Sequence, residues 1–117
     1  MTWKEAKHHA ARLFDAVGLR HQQAGHDWPA CLNGADVPLA DYQDEDDYRL
    51  LKPGEPLTLH EHRLLNRAFA RLINKHGGRP KSVVLRTVDY LHWLAERGLK
   101  NDPATRAHYV AETINAP

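Results

Sequence analysis

Leu57–Gly98, LTLHEHRLLNRAFARLINKHGGRPKSVVLRTVDYLHWLAERG, decides how the rest of the chain is read. Thr58 followed three residues later by Glu61 is a capping box, in which each side chain satisfies an orphan backbone amide, so a long helix is predicted from Leu59. At the helical period Leu64, Leu65, Ala68, Phe69, Leu72 and Ile73 fall on one face, and Gly77 can take the left-handed conformation that ends the helix. Arg79-Pro80 makes a turn. A second helix is expected from about Ser82, its N-cap, to Gly98, with Val84, Val88, Leu91 and Ala95 facing inward and Tyr90 and Trp93 on the opposite side.

Working outward, Thr2 and Glu5 repeat the capping box, so a helix should start at Trp3 and bury Trp3, Ala6, Ala10, Leu13, Phe14 and Val17 before stopping at Gly18 or running on to about Gly25. Downstream, Asp102 as N-cap and Pro103 at the first helical position predict a short helix with Ala107, Val110, Ala111 and Ile114 inward. Residues 26–56 hold Pro29, Gly34, Pro38, Pro53, Gly54 and Pro56 with no sustained apolar period. They read as an irregular excursion with at most a short helix near 38–51, opened by Pro38. No segment reads as a strand. The fold class expected is therefore all-α: a small bundle of four main helices, with a long irregular, acidic excursion between the first and second. With 117 residues and 42% hydrophobic content, the chain fits a single helical domain, 1–117, around one modest core.

Composition excludes several function classes. No apolar run approaches the roughly 18 residues a membrane span needs, and no apolar stretch follows Met-Thr-Trp-Lys as in a signal peptide, so the protein is expected to be cytoplasmic with no membrane partner. The lone Cys31 rules out an internal disulfide and a CxxC motif, and its apolar neighbours suggest a small buried hydrophobe. Ser82 is the only serine and is expected to act as a cap; there is no glycine-rich phosphate loop. The nine histidines show no HExxH or HxxxH spacing, and DYQDEDDY lacks the pattern of an EF-hand loop, so neither metal nor cofactor is expected. Protonation of the histidines near pH 6 would instead make the chain more cationic. These features together predict a non-enzymatic protein.

What is left is charge. The net value of +1 hides two blocks. Asp36 to Asp47 carries six acidic residues and no basic one, whereas Arg49 to Arg86 carries nine basic residues against Glu55 and Glu61. Within the second block Arg63, Arg67, Arg71 and Lys75 ascend one side of a helix at intervals of four, and Arg79 and Lys81 extend the field through the turn. Like charges at that spacing repel, so an opposite charge is expected nearby: a nucleic-acid backbone, the chain's own acidic segment, or simply solvent and counterions around a plain helix face.

Two further clusters combine aromatics with charge, as binding hot spots do. Tyr42 and Tyr48 frame Asp44, Glu45, Asp46 and Asp47, and Tyr90 and Trp93 accompany Arg86 and Arg97. The alternative for both is that the rings are covered by neighbouring chain. The leading expectation is association with another protein through these ten residues. The small size, absence of catalytic motifs and opposed charge blocks look like the build of phage or mobile-element inhibitors, including anti-CRISPR proteins. That likeness implies a protein partner that handles nucleic acid and carries over no residue roles. The second expectation is direct phosphate binding by Arg63, Arg67, Arg71, Lys75, Arg79 and Lys81. Base reading is not expected, because Ser82-Val83-Val84-Leu85 is too apolar for the start of a recognition helix. The third is a homo-oligomeric subunit that buries its aromatics against a copy of itself.

Overall fold

A computed structural model of the chain describes residues 1–116. Five helices, α1 (Trp3–Gln23), α2 (Glu45–Leu51), α3 (Leu59–Lys75), α4 (Thr87–Arg97) and α5 (Pro103–Asn115), accompany two strands, β1 (Asp36–Tyr42) and β2 (Arg79–Leu85), with a 3-10 turn at Ala30–Leu32. The strands pair in a two-stranded parallel sheet. The all-α bundle of four helices is thus corrected to a mixed α/β fold, 62% helical and 12% strand.

Both strands hold a proline for which another role was expected, Pro38 as the opening of a short helix and Pro80 as part of a turn. Pro38 sits inside β1 and Pro80 inside β2. Proline cannot donate to a ladder, but in a two-stranded sheet each strand has one unpaired edge, and a proline whose missing donor faces that edge costs no hydrogen bond. β2 also carries a period-two signal, with Val83 and Leu85 buried and Ser82 and Val84 exposed. Reading Ser82 as a helix cap obscured it; α4 begins only at Thr87, with Arg86 in the cap position. Parallel strands need a long crossover, and the connection from β1 to β2 carries α2 and α3. The 26–56 excursion therefore holds β1 and α2.

The helix boundaries elsewhere follow the caps. Thr2 Oγ1 accepts from Glu5 N at 3.1 Å and the Glu5 carboxylate accepts from Thr2 N at 3.1 Å, closing the box at the start of α1. Hydrogen bonds from the Thr2 backbone amide and, secondarily, the Thr2 hydroxyl hold the Glu5 carboxyl below its ordinary range. α1 runs through Gly18 and ends at Gln23. Gly18 is buried, and a Cβ there would overlap the Trp28 indole. Asp102 Oδ1 accepts from Thr105 N at 2.7 Å to open α5, and Gly98, at φ 62°, closes α4.

The chain divides into two compact units, Met1–Val37 with His60–Pro80, and Pro38–Leu59 with Lys81–Pro117. In the first unit Ala6 and Ala10 of α1 meet Ala68 of α3, with Met1, Trp3, Leu64, Leu65, Phe69 and Leu72 around them. Alanines on both helices allow a close approach. In the second unit Tyr42, Tyr48, Leu51, Val83, Leu85, Tyr90, Trp93, Leu94 and Val110 form the core. A two-stranded sheet is marginal alone, so the packing of Tyr42, Val83 and Leu85 into this core is what sustains it there.

Candidate nucleic-acid interface

The close approach of α1 and α3 in the first unit sets the geometry of the basic stripe. Arg63, Arg67, Arg71 and Lys75 are all exposed on α3. The groove beside them, about 380 Å³, is lined by Arg71, Lys75, Ala68 and Leu72 from α3 and by Lys7 from α1. Three cations thus line one groove beside Leu72, with no acidic residue in its lining among the described residues. Arg71 is fixed by stacking on Trp3, its Cζ 5.5 Å from the ring centroid. Among the described residues Glu5 is used in its cap and Glu61 pairs with the N-terminal ammonium at 3.4 Å.

Charge is partitioned between the units. The first holds nine Lys and Arg against five Asp and Glu, a formal charge of +4, and the second seven against ten, a charge of −3. Seven of the nine histidines also lie in the first unit. Two of these, His21 and His26, bring their Nδ1 atoms to 2.8 Å, so one ring donates to the other. Among the described residues no group of three or more His, Cys, Asp or Glu is arranged to hold a metal ion.

Not every member of the expected basic set joins the groove. Arg79 is tied down, with Nε 2.7 Å from Asp36 Oδ1 and a guanidinium nitrogen donating to Gly34 O at 2.8 Å. Lys81 belongs to the second unit. Lys7 was missed by the sequence reading; Ala6 and Ala10 on either side of it in α1, which pack on Ala68, were the available signal.

The expected protein-binding residues are placed differently from the reading that grouped them. Tyr42 and Tyr48 are buried and meet edge-on at 5.1 Å, and burial pushes both hydroxyls up to about 12. The acidic residues between them serve α2 locally. Asp44 Oδ1 accepts from Asp47 N at 2.8 Å as N-cap, and Glu45 accepts from Leu59 N at 2.8 Å and pairs with Arg49 at 3.3 Å. Glu45, Asp46 and Asp47 occupy the first turn, where the helix dipole favours negative charge.

On α4 the faces are the reverse of those expected. Tyr90 and Trp93 are core, while Val88 is 80% exposed, Leu91 45% and, on β2, Val84 42%. The Tyr90 hydroxyl donates to Asn101 Oδ1 at 3.1 Å and Trp93 Nε1 donates to Glu112 Oε1 at 3.3 Å. Arg97 lies 4.5 Å over the Trp93 ring and pairs with Glu112 at 2.9 Å, so it covers the ring and does not advertise it. Arg86 is exposed at the start of α4. Aromatic rings on α4 bury more apolar area than Val88 and Leu91 opposite, and Tyr109 of α5 packs on both Tyr90 and Trp93 at 5.1 and 5.2 Å. Cys31, expected to be buried, is exposed. No helix among the described residues is long and apolar enough to cross a membrane.

No protein-family model, no curated protein and no solved structure matches this chain.

Proposed function

We propose that this protein binds nucleic acid through the phosphate backbone, using Arg67, Arg71 and Lys75 of α3 together with Lys7 of α1. The observation that carries the reading is the convergence of Lys7, Arg71 and Lys75 on one groove with no carboxylate in its lining among the described residues. Cations so close repel one another in the absence of a ligand, and a phosphate relieves that repulsion while releasing counterions. The groove offers electrostatic attraction and an aliphatic surface, not base-edge donors and acceptors, so the grip is on backbone. An association role for the second unit has weaker support. The aromatic anchors first assigned to it are buried, which leaves the exposed Val84, Val88 and Leu91 as its one supporting observation.

Fluorescence anisotropy with a labelled oligonucleotide across a salt series tests the reading. Three to four phosphate contacts give a log–log slope of about −3. Arg67→Glu combined with Lys75→Glu should abolish binding with the helical circular-dichroism signal unchanged. No binding at low salt would dispose of the proposal.

A further inference from the structure

We infer that the groove between α1 and α3 takes single-stranded nucleic acid in preference to duplex; this rests on the phosphate-binding reading above. The argument is one of shape and of where the charges stand. A straight stripe of cations on a convex helix face meets a duplex and a single strand alike, because both present phosphates outward. Here the charges stand on two helices that line one hollow, Lys7 on α1 and Arg71 and Lys75 on α3, with the half-buried Leu72 beside them. A cavity of about 380 Å³ is at the scale of small-ligand pockets. It admits a nucleotide of a flexible strand, whose phosphate can reach cations of either helix while its sugar or base lies against Leu72. The phosphates of a duplex are fixed on a rod too wide to enter, and its bases are already stacked and turned inward, so only the outer cations of the ladder can reach it.

Two more observations favour this ligand. The Arg71 guanidinium lies over the Trp3 ring, a contact that narrows the rotamers it samples before binding. Leu72, half-buried in the lining, would be idle under a duplex, whereas a flexible strand can lay a sugar or base against it while its phosphates meet the cations. Lys7 distinguishes the two modes, since it comes from the other helix and faces the ladder across the groove.

The experiment uses the full chain and short labelled probes of equal length, oligothymidylate, oligouridylate and a DNA duplex, titrated at one low salt concentration. Lys7→Gln and Arg67→Gln are the variants; both side chains are exposed, and circular dichroism checks that each variant folds. The inference expects the single strands to bind at least about tenfold more tightly than the duplex. It also expects Lys7→Gln to weaken single-strand binding by a larger factor than duplex binding and to lower the single-strand salt slope by about 1, and Arg67→Gln to weaken both alike. Comparing the two single strands tells DNA from RNA as the source. Equal affinity for duplex and single strand, or an equal effect of Lys7→Gln on both, overturns the inference and leaves phosphate binding standing. Failure of every probe to bind overturns phosphate binding itself.

Discussion

Arg71 holds its guanidinium over the Trp3 indole, Cζ 5.5 Å from the ring centroid, on the same side of α3 as the groove shared with Lys7 and Lys75. The stack orients a charge that would otherwise sample many rotamers, and a lysine cannot reproduce it because its ammonium is a point charge on a flexible stem. Arg71→Lys should therefore weaken oligonucleotide binding several-fold with the salt slope unchanged, whereas Arg71→Gln should also lower the slope by about 1. Identical slopes for the two variants would mean that Arg71 contributes no phosphate contact.

Gly18 and Trp28 make a second pair whose spacing can be tested. In an open helix, Gly→Ala stabilises by about 1 kcal/mol through backbone entropy and propensity. Within α1 the added Cβ would overlap the Trp28 ring, which also stacks on His21 and packs on Phe14. Gly18→Ala is expected to cost about 1–3 kcal/mol, the usual penalty for overpacking. In a Trp28→Ala background the same substitution should turn stabilising. Denaturant unfolding of the four proteins in this cycle measures the change of sign; a stabilising Gly18→Ala in the otherwise unaltered chain would mean that the indole does not occupy that space.

Burial of Trp93 reverses what its sequence context suggested for stability. Trp93→Ala removes a core ring that meets Tyr90, His108 and Tyr109, and should cost about 3–5 kcal/mol. Val88→Ser on the outer face of the same helix should cost less than about 0.5 kcal/mol. Thermal unfolding of the pair decides which face of α4 is core.

Elements marked by local chemistry were legible in the sequence. Thr2, Glu5 and Asp102 bond backbone amides within their own turn, so they report helix starts without any knowledge of the fold. The α1–α3 contact followed from periodicity, because Ala68, Leu64 and Phe69 can only be satisfied by a second apolar face. The strands were not legible, since what permits Pro38 and Pro80 is the edge position of both strands, a property of the pairing and not of either segment. Without β2 the phase of α4 could not be placed, and its two faces, one aliphatic and one aromatic, were equally apolar candidates for the core. Of the candidate site, the α3 ladder was visible as a repeat of four, but Lys7 lies about sixty residues away and joins it only through tertiary packing.

Tyr42 and Tyr48 carry a pH signature of the second unit's core. Burial disfavours the phenolate, so each hydroxyl is raised to about 12 in the folded chain, against 10.0 as its ordinary value. A tyrosine whose folded value lies above its unfolded one contributes stability that is complete below about pH 10 and is lost as pH climbs toward 12, because the unfolded chain releases the proton first. The melting temperature should therefore fall progressively between about pH 10 and pH 12, and Tyr48→Phe should make that fall shallower. Tyrosinate absorbance followed alongside circular dichroism supplies the check. The buried hydroxyls should ionise together with loss of helix; full ionisation of all the tyrosines near pH 10 in a chain that keeps its helical signal would show that Tyr42 and Tyr48 are open to water.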